Sequence, residues 1–293
     1  LCDGTNATDN PARRPGFRAL AELGVQVTAV ADVRPEFAKK LSDACGAEIY
    51  NTAADMIEHA DVDVIDICLP THLHAQHAVQ AMKKGRDVFL EKPVCIRDDE
   101  MALLLETERE TGRKVQVGQV IRLWDEYAWL KGVTARGELG KFRSGVFQRL
   151  SAKPTWASNG WLHKAELSGG VAVDMHVHDV DFVRWLLGEP ETVRAQAQRS
   201  ENGVISQIFS EYTYPNGVGV SLEASWENPP CFPFAGDYRV VDFALSSMVN
   251  AGVRDVGVIM HGKCQSMLDH LRAGKSWDLS RNHGGLTLLP AFA

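Results

Sequence analysis

The sequence predicts an α/β protein in three parts. These are a parallel sheet wound with helices over residues 1–118, an α+β domain with an open antiparallel sheet over 119–230, and a short α/β segment over 231–293. Three observations predict it. Between residues 25 and 117 short β-rich runs alternate with helix-length stretches, the pattern of a doubly wound parallel sheet. From 193 to 226 polar and apolar residues alternate around a Pro215-Asn216-Gly217 turn, as half-buried hairpins do. Pro229, Pro230 and Pro233 then break that alternation and mark a boundary.

Each element has a local reason. Pro15 suits a first helical residue, 17–23 is helix-like and Gly24 is its stop. Residues 25–31 form a β-rich run ending in Asp32, and 35–44 return as a helix closed by Gly46. A strand at 48–50 and a helix at 53–59 precede a buried strand at 62–69. Helix 74–84 stops at Gly85, strand 88–90 follows, and helix 98–110 closes at Gly112 before strand 115–117. Beyond Gly118 the sequence predicts a short helix at 125–131, a strand at 142–150 and an amphipathic helix at 174–187 ended by Gly188 and Pro190. A helix at 240–250 and a strand at 256–260 make up the last part.

Composition narrows the function classes. The 293 residues are 45% hydrophobic and 24% charged, ordinary for a soluble globular chain with two proper cores. A net charge of −7 argues against a nucleic-acid partner, which needs a dense basic stripe. The apolar run at 62–69 contains Asp63 and Asp66 and is too short to cross a bilayer, so no membrane partner is expected. The six cysteines form no C-x-x-C pair and no signal-peptide pattern opens the chain, so reduced thiols and a cytoplasmic location are expected. The chain opens on Leu1 rather than Met, as a processed, truncated or misframed start would.

Several residues carry candidate chemistry. Asp32, ending the second strand of a dinucleotide fold, reads as an acceptor for an adenosine ribose diol, favouring NAD over NADP, or as a solvated strand-end carboxylate. The stretch Cys68-Leu69-Pro70-Thr71-His72-Leu73-His74 leaves the carboxyl end of the 62–69 strand, where open parallel sheets bind ligands. There Pro70 stiffens the exit, and Thr71 reads as a cofactor contact or as a helix cap. His72, His74 and His77 lack a cysteine or acid at ligand spacing, so no metal is expected. Glu91-Lys92-Pro93 leaves the next strand; Lys92 reads as a cleft ammonium that steadies a substrate oxygen, or as a surface lysine. Asp174 and His178 stand four apart on an expected helix, with Asp181 one turn on and Val177, Val180 and Leu187 as its core stripe. The pair reads as a carboxylate-oriented base, or as a cap bonded to a half-buried histidine.

Together these motifs are more specific than any one of them. Leu69-Pro70-Thr71-His72-Leu73-His74, Glu91-Lys92-Pro93 and Gly169-Gly170 with Asp174, His178 and Asp181, in that order, resemble the glucose–fructose oxidoreductase/inositol dehydrogenase/rhizopine-catabolism family. Arg122 and Gly137-Glu138-Leu139-Gly140-Lys141 resemble its bridge between domains, and the likeness covers about 16–230. It implies a Rossmann-like domain binding NAD, with NADP less favoured, and an open sheet through which copies of the chain associate. It also implies a sugar or cyclic polyol in the cleft. Lys92, Asp174 and His178 are then the catalytic trio, with Asp32, Pro70, Thr71, His74, Glu91, Lys92 and Arg122 on the cofactor side. His178 would take the hydroxyl proton as hydride leaves the same carbon, Asp174 would orient the imidazole, and Lys92 would steady the oxygen.

Two departures from the family pattern are expected to matter. The likeness calls for a first strand and a G-x-G-x-x-G turn before Pro15, and only Gly4 and Gly16 lie there. The missing strand would be central, between those at 25–31 and 62–69. From about Phe234 the chain instead resembles an early stretch of glucose-1-phosphate adenylyltransferase, of the non-catalytic glycogen-biosynthesis type. It does so through Gly236-Asp237-Tyr238-Arg239, Asn250-Ala251-Gly252 and Asp269-His270-Leu271. That implies a fusion or chimera joined within 228–237. Besides a dehydrogenase, the alternatives are therefore a non-catalytic product unable to hold cofactor and a nucleotidyl-transfer or glycogen-regulatory protein.

Overall fold

The computed structural model describes residue 20, residues 22–228 except 139 and 216, and beyond these 240–250, 253–260, part of 268–279 and 285–290. The expected helix start at Pro15, the glycine-poor opening, the 229–233 proline run and residues 236–239 lie outside the described residues. The chain divides into two compact units, Leu1–Glu227 and Asn228–Ala293.

The first unit begins with parallel strands and helices. Strand β1 (Ala29–Ala31) leads to α1 (Pro35–Cys45), which has Pro35 in its first turn and Gly46 at φ 76° as its left-handed stop. Strand β2 (Glu48–Tyr50) pairs in parallel with β1. Helix α2 (Ala53–His59) is capped by Thr52, whose hydroxyl accepts from the Asp55 N–H at 3.0 Å. Strands β3 (Val64–Ile67), β4 (Asp87–Leu90) and β5 (Val115–Val117) form a second parallel sheet in that order. Between them run α3 (His74–Lys83) and α4 (Asp98–Thr111). Helix α3 buries Ala75, Ala78, Ala81 and Met82 along one face, and these pack on Ile65, Ile67, Val88 and Leu90 in one core. Ala31 of β1 joins the same core. Among the described residues, however, no backbone ladder links β1 to β3. The expected strand at 25–31 shortens to three residues, with Val25 exposed.

The second half of this unit is a helix-covered sheet. Helix α5 (Asp125–Arg136) outruns its expected end at 131 and stops at Gly137. Strand β6 (Ser144–Leu150), short helices α6 (Ala165–Ser168) and α7 (Gly170–Asp174), and α8 (His176–Leu187) follow. Strands β7 (Thr192–Arg199), β8 (Ile205–Tyr214) and β9 (Val218–Ser225) complete a sheet of order β6-β9-β8-β7. The three hairpin strands are antiparallel as expected, but β6 joins β9 in parallel, so the sheet is mixed. Alternation within a strand cannot reveal this, because both orientations share the period of two. One face is buried under α8 through Tyr212, Tyr214, Val220 and Leu222, whereas β7 is exposed along its whole length.

A larger correction concerns the expected helix at 174–187. It is two helices with a break at Met175, where φ is −111°. The buried face of α8 is His176, Asp179, Phe182, Val183 and Leu186, rather than the expected Val177, Val180 and Leu187. Val180 and Leu187 pack only at the margin of the core.

The second unit holds α9 (Val240–Asn250) and parallel strands β10 (Asp255–Met260) and β11 (Gly285–Pro290), the last not anticipated. Leu245, Val256, Leu271 and Leu279 form its core. Among the described residues no helix is long and apolar enough to cross a membrane.

Candidate active site

The exits of three parallel strands are stapled side by side. The Glu91 N–H donates to Ile67 O at 3.0 Å and the Gly118 N–H to Leu90 O at 2.8 Å, so the ladder continues past β3 and β4. This lines up Leu69-Pro70, Glu91-Lys92 and Gly118 on the carboxyl edge, where open α/β sheets take their ligands.

His74 locks the edge from behind. It is 1% exposed, and its ring nitrogens lie 2.7 Å from Leu69 O and 2.7 Å from Pro93 O. Burial, opposed by those carbonyls, holds its pKa below the ordinary histidine value. Neutral in this setting, the ring donates to one of these carbonyls and packs against the other, so His74 sits wedged between two loops. His77 turns to the carbonyl of Leu73, the residue before its helix, at 2.8 Å. His74 and His77 therefore turn to different carbonyls. Thr71 is buried in a 3-10 turn, Thr71–Leu73, while Pro70 and Glu91 are half-buried at the edge.

Lys92 crosses from β4 to the second half of the unit. Its Nζ donates to Asp174 Oδ1 at 2.9 Å and to the Asp174 carbonyl at 2.8 Å, and both side chains are largely buried. An ammonium has three N–H donors, so these two bonds leave one for a substrate oxygen. Asp174 thus holds Lys92. No hydrogen bond between Asp174 and His178 occurs among the described residues, which corrects the expectation that Asp174 orients the imidazole. The reason is the break at Met175: the two residues sit on different helices, so spacing by four no longer puts them on one face.

His178 lies within electrostatic reach of Lys92 and Arg149. Burial first, then those two cations, push its pKa down to about 3. It is therefore a neutral imidazole at ordinary pH, the form that accepts a proton. Its Nδ1 is buried and has no hydrogen-bond partner among the described residues.

Helix α8 is tied down by two further ion pairs. Arg149 donates from Nε and Nη2 to both oxygens of Asp179 at 2.8 and 2.9 Å, and the Asp179 side chain is 4% exposed. Arg122 grips Asp181 in the same fork at 2.7 and 2.6 Å and stacks over Trp185. Arg122 therefore belongs to this scaffold. Asp32 is buried, and its Oδ1 accepts from the Arg34 N–H at 2.9 Å, closing the turn after β1. Arg149 and Asp179 were not foreseen as site residues. The available signal was an arginine in the same strand register as Phe147, which packs inward. Two surface concavities, about 870 and 380 Å³, lie around Gly137, Lys141 and Arg143 and around Glu189 and Tyr214; neither includes the trio.

Comparisons with known proteins show the family of the chain. Residues 9–119 match the profile described as "Oxidoreductase family, NAD-binding Rossmann fold", and residues 127–240 match the "GFO/IDH/MocA C-terminal domain". The chain belongs to the Gfo/Idh/MocA oxidoreductase family, and the first of its two domains is an NAD-binding Rossmann domain. It is 27% identical over 216 residues to scyllo-inositol 2-dehydrogenase (NAD(+)) of Bacillus subtilis strain 168, covering 70% of this chain and 61% of that one. Among solved structures it resembles a putative myo-inositol dehydrogenase from Sinorhizobium meliloti 1021, with TM-score 0.63 and 26% identity, covering 74% of this chain and 67% of that chain. It shares its fold with the WlbA dehydrogenase of Chromobacterium violaceum in complex with NADH and UDP-GlcNAcA, with TM-score 0.69 and 21% identity, covering 78% and 66%. The chain spans about three fifths of the length of the curated relatives it matches. Both family profiles end by residue 240.

Proposed function

We propose that the chain oxidises a CH–OH group of a sugar or cyclic polyol with NAD, or catalyses the reverse reduction. The observation that carries this reading is the Lys92–Asp174 contact, which brings an ammonium from the nucleotide half to the foot of the helix bearing a neutral His178. The donor set fits the cofactor: half-buried Pro70 and Glu91 border the carboxyl edge of β3–β5, beside Lys92. When bound there, NAD supplies the hydride acceptor. His178 takes the hydroxyl proton at a ring nitrogen. The spare N–H of Lys92 donates to the same oxygen and stabilises its developing negative charge. Asp174, through its carboxylate and its carbonyl, holds the ammonium in place. A positioned acid–base group of this kind contributes about 10²–10⁴ in rate.

The inositol dehydrogenases among the relatives favour a cyclic polyol as substrate. A glycogen-biosynthetic or nucleotidyl-transfer role rests only on the likeness of residues 234–293, and the comparisons lend it no support. NAD titration followed by nicotinamide fluorescence, with a polyol-dependent rise in reduced-cofactor absorbance, tests the proposal. Lys92→Ala and His178→Ala should each abolish the rise while leaving NAD binding measurable. Absence of NAD binding by the intact chain would overturn it in favour of a non-catalytic product.

A further inference from the structure

Within the described residues, the segment carrying Asp174, Asp179 and Asp181 is gripped by three cations, each from a different element. Lys92 comes from the exit of β4, Arg149 is the last residue but one of β6, and Arg122 comes from the 3-10 turn Val120–Leu123. The three grips differ in kind. Lys92 holds the end of α7, above the break at Met175, and so does not fix the roll of α8. The Arg122 fork is exposed on the cation's side, at 42%, and sits beyond His178 in sequence. The Arg149 fork is the buried one, made to the residue immediately after His178.

We propose that Arg149 is a positioning residue: its bidentate grip on Asp179 from β6 fixes the roll of α8 and thereby aims the His178 ring at the substrate oxygen beside Lys92.

The geometry supports this in three ways. A planar guanidinium held by both its Nε and Nη2 resists rotation, as a single ammonium contact does not. Asp179 and His178 are adjacent on one helix, about 100° apart, so fixing one side chain against the sheet sets the direction of the other. The anchor is rigid, because β6 pairs with β9 over seven residues, Ser144–Leu150 against Gly219–Ser225.

Arg149 also acts on His178 electrostatically. The charges bearing on the imidazole are Lys92 from the nucleotide half and Arg149 from the sheet, and their counter-ions are Asp174 and Asp179. Removing Arg149 takes away one of the two cations that keep the ring neutral. The ring then protonates at higher pH. A role in folding alone would not produce that signature.

The inference rests on the dehydrogenase reading for its kinetic consequence but not for its titration consequence, so the two can fail separately. The experiment uses the full chain with ¹³C-labelled histidine, Arg149→Met and Arg149→Lys, and the paired variant Arg149→Met/Asp179→Leu in case an unpaired Asp179 prevents folding. His178 is assigned by its loss in His178→Asn, and its ring signal is followed against pH alongside polyol oxidation.

Arg149→Met should lower kcat about a hundredfold, as a 1 Å misplacement of a reacting group does, with NAD affinity unchanged. It should also move the His178 midpoint and the acid limb of kcat/KM to higher pH. Arg149→Lys should restore the midpoint more fully than the rate, because it keeps the charge and loses the fork. A folded Arg149→Met, or a folded paired variant, with the wild-type His178 midpoint and wild-type turnover overturns the proposal. If the wild-type chain binds NAD yet turns over no polyol, the substrate reading fails. The titration then decides for or against Arg149 by itself: a shifted midpoint supports it and an unmoved one overturns it.

Discussion

The two halves of the first unit hold their site residues by different means. In the nucleotide half, backbone aligns the strand exits: the ladder continues past β3 and β4, with the buried His74 ring set between the Leu69 and Pro93 carbonyls. In the sheet half, side chains hold side chains: the forks of Arg149 on Asp179 and Arg122 on Asp181 fix α8 against its surroundings. Backbone placement depends little on which side chains are present, whereas a fork is lost with a single substitution. The strand exits should therefore tolerate side-chain change, whereas Lys92, held by Asp174, and α8, held by the forks, should respond to single substitutions.

The largest expected effect sharpens the contrast in cores. Phe182→Ala, removing a fully buried ring that meets Tyr127 at 4.7 Å and Phe147 at 5.9 Å, should cost about 3–5 kcal/mol. Leu90→Ala in the core of the nucleotide half should cost about 2–5 kcal/mol. Urea unfolding followed at both halves checks whether the halves form one cooperative body, as their shared compact unit implies. Two separated transitions, each moved by its own variant, would break that picture.

Gly170 comes next. Its φ is +68°, and an added Cβ would lie 2.5 Å from Ile205 O, a backbone atom that cannot swing away. Gly170→Ala should cost about 2–5 kcal/mol, combining left-handed strain with overpacking. An unfolding midpoint within error of wild type would refute this.

A smaller effect tests the neutral imidazole. The folded value for His178, about 3, lies below the ordinary value of 6.5, so between these pH values the unfolded chain binds the extra proton. The stability is fully present above about pH 6.5 and is lost as pH falls toward 3. At pH 5 the loss from this group should approach about 2 kcal/mol. Burial lowers His72, His74 and His176 as well, so they add in the same direction. His178→Asn should flatten the decline in urea midpoint between pH 7.5 and 5; an unchanged slope would show that the ring is solvated.

The smallest effect should come from Arg122→Gln. That pair is half-exposed, so its loss should cost no more than about 1 kcal/mol, measured as a small shift in midpoint that disappears at high salt.

Much of the architecture was legible because it follows from local chemistry. Pro35 at a helix start, Gly46 and Gly112 at left-handed stops, and alternation along β8 and β9 each act within a few residues. Lys92, Asp174 and His178 could be singled out by their position at strand exits and on the helix following Gly169-Gly170. Their mutual bonding could not. Spacing by four implies a shared face only if the helix is continuous, and the break at Met175 is set by what packs around it. The core stripe of α8 was misplaced for a related reason: His176 and Asp179 are polar, yet Ser210 takes up Nε2 of the first and Arg149 both oxygens of the second in the interior.

The sequence by itself determined the order and type of most elements of the first unit and which residue types stand at the strand exits, because helix stops, caps and period-two alternation are short-range. Only the tertiary structure decided that Asp174 serves Lys92 rather than His178, that β6 runs parallel to β9, and that Arg149 reaches Asp179. Each of these joins residues at least 30 positions apart, and such a contact is chosen by how packed surfaces meet.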